Sequence, residues 1–86
     1  MKISIIIPTL NEEDNLGKIL SHTLKLIGNF EIIVVDGGST DNTQKISKGF
    51  KSVKTLVTEK GRANQMNCGA MNANGKIFLF LQRLFI

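Results

Sequence analysis

The 86-residue sequence predicts an α/β domain, a parallel sheet of about four strands carrying three helices, and three observations support that class. Ile32 to Val35 is an unbroken β-branched run, the signature of a strand buried on both faces, because a half-exposed strand alternates apolar with polar, and Lys2 to Ile7, KISIII, reads as a second strand of that buried type. Between them the apolar period changes to that of a helix. The resulting order βαβαβαβ, with connections of two to six residues, suits parallel strands joined by right-handed crossovers.

In order, the first strand is expected to stop at Pro8, which has no N–H to give a ladder. Leu16, Ile19, Leu20, Leu24 and Ile27 then mark one face of a helix capped by Asn11, with Glu12, Glu13 and Asp14 in its first turn and Gly28 as its stop. Gly17 weakens that helix by roughly 1 kcal/mol relative to alanine. His22 falls opposite the apolar stripe and reads as exposed and inert. A short helix over Asp41 to Phe50 offers Ile46 and Phe50 to the core, and Val53 to Thr58 forms a third strand. Gly61 to Ala73 is a helix whose small side, Ala63, Met66, Ala70 and Ala73, lets it lie close to the sheet. Asn74-Gly75 ends it, and Ile77 to Leu81, extending toward Ile86, is the fourth strand.

The second strand closes on a carboxylate. Asp36 is followed by Gly37 and Gly38, which permit a sharp turn and close approach to a ligand, and by Ser39, Thr40 and Asp41, any of which can cap a helix. Polar groups therefore gather at the carboxyl end of a parallel strand, where open α/β sheets bind ligands.

Composition narrows the function. A chain of this length is one small domain that buries only about 60 to 65% of its unfolded surface, thin cover for a parallel sheet, so a fragment or a partnered domain is expected. The net charge of +4 comes from 11 basic and 7 acidic residues. Lys45, Lys48, Lys51 and Lys54 recur every three positions as a solvated face, and without Trp or Tyr to stack bases a nucleic-acid surface is not expected. Cys68 alone forms no internal bridge and fits a reducing, cytoplasmic setting. No signal peptide opens the chain, and the apolar run from Ile77 to Ile86, broken by Gln82 and Arg83, is about half a membrane span.

Two familiar phosphate-binding motifs are absent. The turn PTLNEEDN after the first strand lacks both a glycine cradle and a Gly-Lys-Ser/Thr. It offers instead backbone polar groups beside Thr9, Asn11 and Glu12 that can read a base edge, while Asp36 stands where a dinucleotide fold places its ribose-binding acid. Phosphates held without a glycine cradle need a divalent cation on one or two carboxylates together with a basic side chain, and Arg62 can supply the latter. Taken singly, Asp36 also reads as a turn carboxylate, Glu12 as a helix-dipole partner and Arg62 as a surface side chain.

IIIPTLNEEDNL, EIIVVDGGSTDNT and GRANQMNCGAMNANGKIFLFL together resemble the amino-terminal, nucleotide-binding half of a family 2 glycosyltransferase of the GT-A fold, over about Lys2 to Leu81. The resemblance is to a bacterial subgroup with a G-R-A-x-Q-M-N-x-G-A signature. It implies a Rossmann-like, partial GT-A fold over residues 1–86 and transfer of a sugar from a nucleotide-diphosphate sugar to an acceptor. Pro8, Thr9, Asn11 and Glu12 would line the base and ribose site, Asp36 would hold the uracil or equivalent base, Gly37, Gly38 and Ser39 would form the wall, Arg62 would approach the nucleotide and Asn67 would support the pocket. Mg2+ or Mn2+ would bridge the diphosphate. Where the family places an acidic pair after the fourth strand, this chain has Gln82, Arg83 and Leu84, so the expected metal ligand and the acceptor half with its general base are missing, as in a truncated or frame-shifted chain. The alternative expectation is a non-catalytic α/β module that forms homo-oligomers through Phe78, Phe80, Leu84, Phe85 and Ile86.

Overall fold

The computed structural model describes residues 2–75, and residues 77–80 as backbone. The chain runs β1 (Ile3–Thr9), α1 (Leu16–Thr23), β2 (Phe30–Asp36), α2 (Thr43–Lys48), β3 (Val53–Val57), α3 (Arg62–Met71) and β4 (Ile77–Phe80). The strands are parallel and ordered β3-β2-β1-β4. The chain therefore moves outward from β1 to β3 and then returns to the other side of β1. With right-handed crossovers that reversal sends α3 to the face opposite α1 and α2.

The core confirms the two layers. Ile5, Ile7, Ile32, Val34 and Val53 point to one face, where they pack with Leu16 and Leu20 of α1 and with Ile46 and Phe50. Ile6, Ile33 and Val35, the alternate residues, pack with Leu56, Cys68, Ala70 and Ala73 on the other. Covering both faces explains why the centres of the two strands, Ile5 to Ile7 and Ile32 to Val35, are continuously apolar. Gly69 makes the second layer possible: a Cβ there would clash with Ile6 Cγ2 and lie 3.2 Å from Val35 Cγ2.

Four expectations change in detail. β1 continues through Pro8, paired with Val35, to Thr9, paired with Asp36. Thr9 turns its carbonyl toward β2, accepting from the Gly37 amide at 3.0 Å, so its neighbour Pro8 faces the β4 side. There the described pairing ends at Ile6 and Phe80, and the missing N–H breaks no described ladder bond. α1 begins at Leu16 with Asn15 as its cap. Asn11 takes a left-handed φ of 52° outside the helix, and the amides of Asn15 and Leu16 bond the Glu12 carbonyl at 3.0 and 2.8 Å in a lead-in turn.

The helix also stops early. Thr23, buried, turns its hydroxyl back to the Ile19 carbonyl at 2.7 Å, and Ile27, expected on the apolar face, is fully exposed beside an exposed Leu26. On α3 the sheet-facing side is Gln65, Cys68 and Gly69, while Ala63 is exposed. His22 is exposed as expected. No helix among the described residues is long and apolar enough to cross a membrane. The expected oligomerising groups Leu84, Phe85 and Ile86, and the side chains of Phe78 and Phe80, lie outside the described residues, as do Gln82 and Arg83.

Candidate functional site

The registers of β1 and β2 bring Thr9 and Asp36 side by side at the carboxyl edge. Asp36 has no solvent-exposed surface. Its Oδ1 accepts from the hydroxyls of Thr9 at 2.8 Å and Ser39 at 2.6 Å. Its Oδ2 accepts from the amides of Gly38 at 3.1 Å and Ser39 at 2.7 Å, and from Gln44 Nε2 at 2.9 Å. Burial alone would raise the pKa, but the Ser39, Thr9 and Gln44 bonds outweigh it and hold the carboxyl below its ordinary value. A carboxylate has about four acceptor positions, and five donors fill them. These bonds fix the carboxylate at the end of β2 and order the turn that follows it.

The first two loops are also bonded to each other. The Asn11 amide donates to Ser39 Oγ at 2.8 Å, and Asn11 Oδ1 accepts from the Thr40 amide at 2.9 Å. The Glu12 amide donates to Thr43 Oγ1 at 2.8 Å, and the Glu13 amide to Asp41 Oδ2 at 3.2 Å, while Glu13 Oε2 accepts from the Asn42 amide at 3.0 Å. Asp41 also accepts from the Thr43 amide at 2.9 Å, capping α2 from one residue before the Asn42 cap. Burial tends to raise the Asp41 pKa, but the Thr43 and Glu13 bonds lower it further. The Asn11 and Glu12 amides expected to read a base edge are therefore committed to the second loop. What the pair of loops offers is a fixed shape.

The third element at this edge is Gln65, which sequence reasoning gave no role. Its side chain, only 5% exposed, donates from Nε2 to the carbonyls of Thr9 at 2.8 Å and Val35 at 2.9 Å. It lies against Gly37, where a Cβ would come within 2.9 Å of both Cδ and Oε1. Gly37 is thus required by the close approach of another side chain, while Gly38, at φ 90°, faces open space. The available signal was spacing: Gln65 and Gly69, four apart, share a helix face.

Arg62 opens α3 three residues before Gln65, which places it beside this edge, exposed and with no hydrogen bond or ion pair among the described residues. Pro8 and Thr9 end β1 in the same place. Asn67 does not join them. It lies about 200° around the helix from Gln65 and is exposed, on the side away from the sheet. A shallow open cleft of about 580 Å3 along α2 is lined by Ser39, Asp41, Gln44, Lys45, Lys48 and Gly49, and Ser39 is its one expected site residue. Among the described residues no group of three or more His, Cys, Asp or Glu side chains can hold a metal ion. Asp36 and Asp41 direct their oxygens to donors of the two loops.

Over residues 4–82 the sequence matches the profile Glycosyl transferase family 2. The chain belongs to that family. The architecture agrees with the GT-A fold of solved relatives. S. aureus TarS 1–349 superposes with a TM-score of 0.86 at 31% identity, covering 95% of this chain and 27% of that one. The same TarS segment in complex with UDP gives 0.84 at 30% identity and the same coverage. Glucosyl-3-phosphoglycerate synthase from Mycobacterium tuberculosis, in complex with Mn2+, UDP and glucosyl-3-phosphoglycerate, shares the fold with a TM-score of 0.77 at 23% identity, over 94% of this chain and 33% of that one.

Among curated relatives, a dolichyl N-acetyl-α-D-glucosaminyl phosphate 3-β-D-2,3-diacetamido-2,3-dideoxy-β-D-glucuronosyltransferase of Methanococcus voltae is 38% identical over 87 residues, 90% of this chain and 27% of its own length. A dolichol-phosphate mannosyltransferase of Pyrococcus furiosus is 35% identical over 88 residues, 94% of this chain and 25% of its own length. The chain thus spans about a quarter of the length of these relatives.

Proposed function

We propose that this chain holds the nucleoside diphosphate of a sugar nucleotide at the carboxyl edge of its sheet, as the donor-binding part of a glycosyl-transfer reaction. The observation that carries the reading is the junction of Thr9, the Asp36 turn and Gln65, with Arg62 beside it, in a family 2 chain whose TarS neighbour is in complex with UDP. A ligand site benefits from being fixed before the ligand arrives, since less ordering is then charged against binding. The internal bonding of the two loops provides that order.

Each group has a separate role. Asp36 is a positioning residue that sets the turn through the Gly38 and Ser39 amides. Asn11 and Thr43 lock the first loop onto the second. Arg62 brings the positive charge that a diphosphate needs, and its fork suits bidentate contact with phosphate oxygens. A divalent ion carried by the diphosphate would find no acidic pair after β4 in this chain, where Gln82, Arg83 and Leu84 stand. Cys68, a free thiol partly buried against the sheet, suits the reducing cytoplasm expected from the sequence.

Calorimetric titration of the chain with UDP and GDP, with and without Mn2+, tests the reading. Saturable heat with UDP, reduced in Arg62→Ala, is expected. No heat at millimolar nucleotide with or without the metal would overturn it.

A further inference from the structure

We infer that the amino edge of the sheet, the end of the domain away from the proposed nucleotide site, is a docking surface for an anionic lipid bilayer. Two adjacent aliphatic side chains at the tip of the α1–β2 connection, set among lysines, carry the inference. Leu26 is 56% exposed and Ile27 is fully exposed. Gly28 follows them at a φ of 145°, and a Cβ there would meet nothing within 4 Å. The tip therefore projects from the body of the domain and lines no groove.

The topology segregates charge around that tip. Both α1 and α2 run from the carboxyl edge back to the amino edge, so Lys25 after α1, Lys48 ending α2 and Lys51 before β3 gather at one end, all exposed, with Lys2 ahead of β1. Of the chain's seven acidic residues only Glu31 lies at this end, where it accepts from Ser4 and from the Asn74 and Gly75 amides. The other six end or follow β1, β2 and β3 at the opposite edge. Helix-dipole pairing accounts for Lys48 in the last turn of α2, but Ile27 and Lys51 stand outside both helices.

A bilayer fits this end better than other partners do. A stable protein interface needs about 800 Å2 on each side, more than two aliphatic side chains on a convex tip supply. Single-stranded nucleic acid needs aromatic rings to stack on, and residues 25–29 contain none. Apolar side chains ringed by lysines suit a membrane surface, where the apolar part sinks about 5–10 Å into the headgroup boundary and the ammonium groups meet anionic headgroups. Docking at the amino edge leaves the carboxyl edge open to water.

Co-sedimentation of the intact chain tests this, with vesicles of phosphatidylcholine alone and of equal parts phosphatidylcholine and phosphatidylglycerol. Binding is expected only to the anionic vesicles and is expected to weaken as salt is added. Lys48→Gln and Lys51→Gln should each weaken it roughly fivefold, the worth of one lysine at an anionic surface. Ile27→Ser should weaken it roughly tenfold through lost apolar burial. Lys60→Gln, at the opposite edge, should leave it unchanged. All four positions are exposed, so these variants are expected to keep the wild-type circular dichroism. No sedimentation with the anionic vesicles, or binding indifferent to Ile27→Ser, would overturn the inference. Equal affinity for a short DNA duplex would overturn it as well, since the lysines would then hold any polyanion. None of these outcomes alters UDP binding, which calorimetry reads separately.

Discussion

Replacing Asp36 by alanine removes the acceptor for five donors at once, and the loss can be estimated donor by donor. The Gly38 amide sits on an exposed residue and finds water, and the hydroxyls of Thr9 and Ser39 can rotate toward other partners. The part-buried Ser39 amide has no such freedom in the turn, and Gln44 Nε2, on α2 beside the open cleft, loses a charged partner. Hydrogen bonds to a charged group contribute about 1.5–3 kcal/mol each and overlap when they share an acceptor, so Asp36→Ala is expected to cost about 3 kcal/mol. A chain of this size is stable by only about 4–13 kcal/mol. With a urea dependence of about 1 kcal/mol/M, the midpoint should fall by about 2–3 M.

Asp36→Asn is the informative companion. Its carbonyl can keep the amide donors while its NH2 turns to the Thr9 and Ser39 hydroxyls, so a loss of about 1 kcal/mol is expected. Urea unfolding followed by circular dichroism gives both values, and the Gly38 and Ser39 amide resonances report the turn directly. An alanine variant within 1 kcal/mol of wild type, with those resonances unmoved, would refute the assignment of Asp36 as the organiser of the edge.

Other substitutions and pH test separate parts of the account. Gly69→Ala places a methyl group against Ile6 and Val35, and the overpacking should cost about 1–3 kcal/mol in a thermal or urea melt. Gly17→Ala meets only Ile46 at 4.0 Å, within a helix, and should stabilise by about 0.4–1 kcal/mol in the same assay. Arg62→Ala should leave stability within about 0.5 kcal/mol while weakening UDP in calorimetry. Asp36, Glu31 and Asp41 all have lowered pKa values, so their stabilisation is complete above their ordinary values of 3.8, 4.5 and 3.8 and declines as pH falls through the folded values. Urea midpoints should accordingly be flat from pH 7 to about 5 and drop below about 4, and a midpoint that rises on acidification would contradict the bonding described at these carboxylates.

The layering of the domain was legible because it depends on period. The apolar centres of β1 and β2, and the helical stripe of Leu16, Ile19 and Leu20, are local patterns that tertiary packing preserves. What escaped depended on partners far along the chain. Asn11 reads as a cap, yet its amide and side chain join Ser39 and Thr40 from the next loop, and that bonding takes it out of the helix. The small residues of α3 suggested a face through Ala63, whereas the close approach at Gly69 and the reach of Gln65 to Thr9 and Val35 set the actual one.

Asp36 shows the same limit for the site. Its place at the end of β2 could be read from the sequence, but its saturation could not, because Thr9 and Gln44 reach it only when the strands pair and α2 folds back. Glu31 likewise carried no signal in the sequence. It binds Ser4 Oγ at 2.6 Å and the amides of Asn74 and Gly75, tying the turn after α3 to the amino edge, and these bonds lower its pKa although burial tends to raise it.

The most direct measurement of the central claim is a map of backbone amide shifts in the labelled chain during titration with UDP. The account predicts saturable changes concentrated at Thr9, Gly37, Ser39 and Arg62, with the amino-edge residues from Leu26 to Asn29 unmoved. Shifts confined to that amino edge, or none at millimolar UDP, would contradict it.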